Sequence, residues 1–163
     1  MRKCPRSVHA KNVNVIVFTK VQGRTMPTIL VVDDHEEIRE ALAEILEEEG
    51  HKVLQAVDGL SALEVIADSN PEVVLLDIPM PGMDGLETLR RLKDQPESSS
   101  LPVIMVTAQG DRQNMVKAVQ LGVRDYVTKP WEPGEVEMCV NWALKAANVS
   151  SNQQEPPLLA ESA

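Results

Sequence analysis

Five short apolar runs punctuate the chain: TILVV at 28–32, KVLQAV at 52–57, EVVLL at 72–76, PVIMV at 102–106 and DYVT at 125–128. Most are continuously aliphatic, the pattern of parallel strands covered on both faces. Between them the apolar residues change to helical spacing. Over 35–49, Ile38, Ala41, Leu42, Ile45 and Leu46 recur at i, i+3, i+4, i+7 and i+8, and Gly50 stands where a C-cap belongs. Asp58 is placed to cap a second helix, 58–67, that buries Leu63 and Ile66. Leu86, Leu89 and Leu92 make a third stripe, and Met115, Val116 and Val119 a shorter fourth. The last helix, 133–147, buries Val136, Cys139, Val140, Ala143 and Leu144. Strict strand–helix alternation, five times over, predicts the α/β class: an open, doubly wound, five-stranded parallel sheet.

Composition narrows the picture. With one Phe, one Tyr and two Trp in 163 residues, the core must be built from aliphatic side chains. Cys4 and Cys139 lie far apart and belong to no ligand-spaced cluster, which suits a reducing cytoplasm and argues against a disulfide framework or a zinc site. The formal charge of −9 is very uneven. Residues 1–25 hold no acid and six cations; the remainder holds 25 acids against ten Lys and Arg, or 10 − 25 = −15. That balance disfavours direct contact with nucleic acid or anionic lipid. The one apolar run of the leader, VNVIVFT, is too short to span a membrane. Residues 1–25 therefore read as a basic, unstructured extension, 26–147 as a single domain, and 148–163, polar and broken by proline, as a disordered tail.

The ends of the strands carry the candidate chemistry. The first is followed by Asp33 and Asp34, the third by Asp77, the fourth by Thr107 and the fifth by Lys129. In open α/β sheets the working site lies beyond the carboxyl ends of the strands. A polar residue there is cheap, and for Thr107 alone solvent exposure explains enough. Three carboxylates converging from two strands repel one another unless a cation holds them. An all-oxygen set suits a hard divalent ion such as Mg²⁺, which completes its shell with waters and a phosphate. Lys129 adds a point charge for phosphate and Thr107 a hydroxyl donor. No glycine-rich loop follows the first strand; DDHEE stands there, and its four acids would expel a nucleotide phosphate. An aspartate nucleophile that becomes an acyl phosphate fits this arrangement.

The segments ILVVDDHEEIRE, VVLLDIPMPGMDGLE, PVIMVTAQ and GVRDYVTKPW, in that order within a five-fold βα frame, resemble the receiver domain of two-component response regulators, in particular the single-domain chemotaxis type. The resemblance covers residues 28–147 and implies a flavodoxin-like (βα)5 fold with strand order 2-1-3-4-5, which for this family is also a reference example of the doubly wound rule. It implies Asp77 as the phosphoacceptor, served by a sensor histidine kinase or a phosphotransfer protein. It implies Mg²⁺ as cofactor, held at Asp77, directly by Asp34, mainly through water by Asp33, and by the backbone carbonyl of Pro79. Lys129 would pair with the aspartyl phosphate, Thr107 would hydrogen-bond it, and Tyr126 would be the aromatic switch that follows Thr107. The Lys129–Pro130 bond would be cis. Output would pass through the face formed by the fourth helix, fifth strand and fifth helix, to a downstream protein or a second copy. Such a domain is a phosphoacceptor that assists its own phosphoryl transfer and dephosphorylation, not a conventional enzyme. Pro79 and Trp131 depart from the residues usual at those positions, and Pro79 and Gln109 would flank the path of a hydrolytic water.

Other classes fit less well. An aspartate-nucleophile phosphatase would carry alternating acids after the first strand, where this chain has an adjacent pair. A flavin binder would need a Ser/Thr/Gly-rich loop there. An attached DNA-binding domain has no room in the 16 residues after 147. The glutamates of the first helix read as a solvated face, with docking of a basic kinase patch as the alternative. Met138 and Trp142 fall off the buried stripe of the last helix and mark either a contact surface or an extension of the core against the first or fourth helix.

Overall fold

The computed structural model describes residues 26–108 and 110–151. Its elements alternate as expected: β1 (Thr28–Val32), α1 (Glu36–Glu48), β2 (Lys52–Ala56), α2 (Gly59–Ser69), β3 (Val73–Asp77), α3 (Gly85–Asp94), β4 (Val103–Ala108), α4 (Arg112–Gln120), β5 (Asp125–Lys129) and α5 (Glu135–Ser151). All pairings are parallel and the order is β2-β1-β3-β4-β5. The Lys129–Pro130 peptide is cis.

Each strand sends alternate residues to opposite layers. Ile29, Val31, Val73, Leu75, Ile104, Val106 and Val127 pack with α1 and α5, through Leu42, Leu46, Val136, Cys139, Val140, Ala143 and Leu144. Leu30, Val32, Val74, Leu76, Val103 and Met105 pack with α2, α3 and α4, through Ala62, Ile66, Leu89, Leu92 and Ala118. A strand buried on both sides has no polar face, which is why the runs are continuously aliphatic.

Local signals set the helix boundaries. Asp58 caps α2 by accepting the Ser61 N–H at 2.8 Å, with Ser61 Oγ returning toward the cap. Asp84 caps α3 by accepting the Glu87 N–H at 2.8 Å. Gly50, at φ +86°, takes the left-handed position just past α1. Gly85 has a different role. Its missing Cβ makes room for the carbonyl of Asp77, and its N–H donates to the Ile78 carbonyl at 2.9 Å. The first turn of α3 is thereby pressed against the end of β3.

Three expectations need correction. The α4 stripe is rotated: Val116 is 57% exposed and Val119 42%, while Ala118 is buried. Val123, just past the helix, shares the buried side with Ala118, so the apolar residues of α4 itself do not all face the core. Helix α5 starts at Glu135, where 133 was expected, and runs to Ser151, four residues past the boundary expected at 147. Strands β3, β4 and β5 also run one or two residues further, so Asp77, Thr107 and Lys129 are strand residues and not the first residues of loops. The expected basic extension (1–25), most of the expected tail (152–163) and Gln109 lie outside the described residues.

Candidate functional site

The strand register brings the candidate residues together at the carboxyl rim. β1 and β3 are adjacent, so Asp33 and Asp77 meet side by side, and both are only 1% exposed. Both, with Lys129, lie on the α1–α5 side by alternation from Val31, Leu75 and Val127. Lys129 Nζ donates to Asp33 Oδ2 at 2.6 Å and approaches Asp77 Oδ1 at 3.2 Å. Asp77 Oδ1 also accepts the Ile78 N–H at 2.9 Å. Asp77 Oδ2, buried, has no partner among the described residues.

Thr107 extends β4 one residue past the Asp77↔Val106 pair. It is fully buried, and its Oγ1 likewise finds no partner among the described residues. Alternation from Val103 and Met105 puts it on the α2–α3–α4 side, where Tyr126 is half-buried against the same cluster. A buried polar atom without a partner costs about 1–3 kcal/mol, and such atoms call for a functional reason. Two stand here on neighbouring strand ends.

Electrostatics follow from the packing. Burial, and then the charge of Asp33, push the Asp77 carboxyl up to about 6; Lys129 and the Ile78 N–H oppose this without prevailing. Burial alone would lower the Lys129 ammonium, but its hydrogen bond to Asp33 and the charge of Asp77 hold it above the usual lysine value. One ammonium against three carboxylates leaves room for a cation. Asp33, Asp34, His35 and Asp77 each offer a ligand atom, all within 4.8 Å of one another. Asp34 is the more accessible of the acid pair, its side chain 28% exposed. Pro79 is exposed in the turn after β3.

Three residues important to this rim were not expected from the sequence. His35 stands at the N-cap of α1 without capping it, its ring turned to the acid pair. Arg39 Nη1 donates to the Asp33 carbonyl at 2.8 Å, fixing the backbone of the acid pair. The signal for Arg39 was its position as the one cation among seven glutamates between 36 and 49. Gly85 is the third, eight residues after the acceptor candidate. Away from the rim, Trp131 packs against the α1–α5 layer. Trp142 is half-buried and carries the Arg124 guanidinium, whose carbon lies 4.1 Å from the ring centroid. Met138 is 39% exposed.

Comparison with known proteins agrees with this geometry. Residues 29–141 match the response regulator receiver domain family. The phosphate regulon transcriptional regulatory protein PhoB of Pseudomonas aeruginosa is 42% identical over 109 residues, 67% of this chain and 48% of that protein. The transcriptional regulatory protein ResD of Bacillus subtilis is 38% identical over 123 residues, 76% of this chain and 50% of that protein. The crystal structure of the receiver domain of NtrX from Brucella abortus superimposes with a TM-score of 0.68 at 39% identity, covering 72% of this chain and 98% of that one. The chain spans about half the length of the curated relatives it matches. A rim of three acids and a lysine on a β2-β1-β3-β4-β5 sheet, matched over most of its length, identifies the chain as a member of the response regulator receiver domains of two-component signalling.

Proposed function

We propose that Asp77 accepts a phosphoryl group from a phosphohistidine on a sensor histidine kinase or phosphotransfer protein. The observation that carries this reading is Asp77 Oδ2, buried and without a partner among the described residues, on a carboxylate whose Oδ1 lies 3.2 Å from the Lys129 ammonium, with the Thr107 hydroxyl, likewise unpartnered among those residues, near the end of the adjoining strand β4. Oδ2 forms the new O–P bond as the P–N bond to the donor imidazole breaks and its electron pair returns to the ring. Lys129 neutralises phosphoryl oxygens, and Thr107 gains the acceptor it lacks. Asp33, Asp34, Asp77 and the Pro79 carbonyl would hold Mg²⁺, which when bound supplies charge neutralisation for the incoming phosphoryl group. The domain acts as a stoichiometric acceptor, assisting its own phosphorylation and dephosphorylation, and not as a conventional enzyme.

Thr107 and Tyr126 share one face of the sheet, which supports a switch in which movement of Thr107 toward the phosphoryl group draws Tyr126 inward. The affected surface is α4–β5–α5, where Val116, Val119 and Met138 are exposed. Its partner is a downstream protein or a second copy of the domain. The acid excess beyond residue 25 disfavours direct contact with nucleic acid or membrane, and no described helix is long and apolar enough to cross a bilayer. PhoB and ResD are named as transcriptional regulators and match over about half their length, so we place any transcriptional output outside this domain. A cytoplasmic location follows from the kinase partnership.

Incubation with acetyl phosphate and Mg²⁺ should add one phosphoryl group, read by intact-mass spectrometry. Asp77→Asn should abolish the addition, and chelator or Asp34→Ala should block it. Undiminished labelling of the Asp77→Asn protein would overturn the assignment.

A further inference from the structure

Residues 36–49 carry seven glutamates and one arginine, a formal charge of 1 − 7 = −6 on a single helix. Glu40, Glu44 and Glu48 follow one another at i, i+4, the spacing at which like charges on a helix repel. The last turn of α1 has no basic residue, although the peptide dipoles already gather negative charge at that end. On α3 the acids are neutralised locally: Glu87 pairs with Arg90 and Arg91, and Asp94 with Arg90. On α1, Glu40, Glu44, Glu47 and Glu48 make no ion pair among the described residues.

These four glutamates, with Ala43 and Gln55, line a groove of about 470 Å³. Gln55 belongs to β2, so the groove runs between α1 and that strand. β2 lies at the edge of the sheet, paired with β1 alone, and its Val53 and Leu54 are only partly buried. An edge strand offers backbone donors and acceptors on its open side, a ready seat for one more extended segment.

The chain itself holds a segment of matching chemistry. Residues 1–25 have no acid and six cations, Arg2, Lys3, Arg6, Lys11, Lys20 and Arg24, or +6 against the −6 of α1. Residues 152–163, with two acids and no cation, have the wrong sign. Between Lys11 and Lys20 lies VNVIVFT, rich in the β-branched residues that suit a strand. The point of entry fits as well. Lys52 N–H donates to the Pro27 carbonyl at 2.9 Å and Thr28 pairs with Lys52, so the chain enters β1 beside the first residue of β2. The end of α1 closes on the same place, where His51 N–H donates to the Leu46 carbonyl at 3.1 Å. The six residue steps from Met26 back to Lys20 reach up to about 20 Å when extended. Glu40 to Glu48 spans only about 12 Å of helix.

We propose that residues 1–25 fold back on their own domain and occupy this groove. VNVIVFT lies along the open edge of β2, and the flanking Lys11, Lys20 and Arg24 face Glu40, Glu44, Glu47 and Glu48. The segment runs antiparallel to β2, because it must arrive at the amino end of β1. It offsets the charge of α1 and covers an edge otherwise open to other chains. Because its ion pairs form at an exposed face, salt releases it.

The test places a nitroxide on the full chain through Asn14→Cys in a Cys4→Ser background; Cys139 is buried and does not compete for the label. Paramagnetic broadening of backbone amides is read in ¹⁵N-labelled protein. At low ionic strength the amides of residues 40–48 and 53–55 should lose intensity roughly twofold or more, and recover it in about 1 M salt, where the Debye length is about 3 Å. Glu44→Gln combined with Glu48→Gln should remove most of the broadening and leave the fold intact, since both side chains are exposed and glutamine is an equally good helix former. Broadening centred on Met26 and equal at both salt concentrations would describe a segment tethered but not docked, and would overturn the proposal. So would broadening that survives the double glutamine variant, or that falls on α4 or α5. Labelled ¹⁴N chains mixed with unlabelled ¹⁵N chains should show no broadening; its appearance there would make the occupant a second copy and overturn the fold-back.

Discussion

Leu75 and Asp77 lie two residues apart on β3, point to the same side of the sheet and are almost equally inaccessible, at 0% and 1%. Leu75 belongs to the packed α1–α5 layer, where every neighbour is aliphatic or nearly so. Asp77 meets a second carboxylate and an ammonium, and its own Oδ2 has no partner among the described residues. Equal burial therefore has opposite meanings along seven ångströms of one strand, since two residues of strand advance by about that distance. At mid-strand burial removes apolar surface from water and stabilises the fold. At the rim it raises the energy of a charge, and the sheet's core holds that charge in place.

The largest expected effect is at mid-strand. Leu75→Ala should lower the free energy of unfolding by about 2–5 kcal/mol, read from the denaturant midpoint at unchanged slope. A loss below about 1 kcal/mol would mean that the layer repacks freely and that the contrast with the rim is overstated.

At the rim the sign should reverse. Because burial holds Asp77 near 6 against an ordinary value of 3.8, the folded chain binds its proton more tightly than the unfolded chain. Asp77 thus favours the fold most below the ordinary value, and that contribution is lost as pH rises through about 4 to 6. In chelator, stability should fall across that window by on the order of 2 kcal/mol. Asp77→Asn should flatten this dependence and be the more stable protein at pH 7, while losing phosphorylation. A parent stability curve identical to that of Asp77→Asn between pH 4 and 7 would remove the electrostatic half of the comparison.

The smallest effect concerns Trp142, neither core nor rim. Half-buried under Arg124, it should lose only about 1 kcal/mol on Trp142→Ala, from a partly exposed cation–π contact and modest burial. If α4–β5–α5 is the output face, the variant should also lose phosphorylation-dependent association in sedimentation experiments. A loss of several kcal/mol would make Trp142 a core residue and end its role in that face.

What the sequence disclosed depended on whether the signal was local. The five strands and the α5 stripe were legible because burial on both faces, or on one helical stripe, writes itself into every residue of the element. Asp33, Asp34, Asp77, Thr107 and Lys129 were legible because polar residues directly follow aliphatic runs. The α4 stripe misled because Val116 and Val119 are apolar yet exposed; spacing reports which residues share a face, not whether that face turns inward. The roles of His35 and Arg39 depend on where a side chain turns after the strand ends. That of Gly85 depends on an approach between α3 and β3 that no periodicity encodes.

That approach has a consequence for how variation is distributed around the acceptor. A Cβ at 85 would collide with the Asp77 carbonyl, backbone against backbone, where no rotamer change relieves it. Gly82, three residues earlier, is a glycine for another reason: a φ of +79° with open space around it, so a substitution there strains one turn and disturbs nothing else. A mutational library would see two glycines in one loop tolerate change to different degrees, with position 82 graded and position 85 all but closed. The loop between them, carrying Met83 and Asp84, is tied down at its distal end by a residue with no side chain at all. Drift in this protein should therefore collect at the solvent side of that loop and stop abruptly at α3.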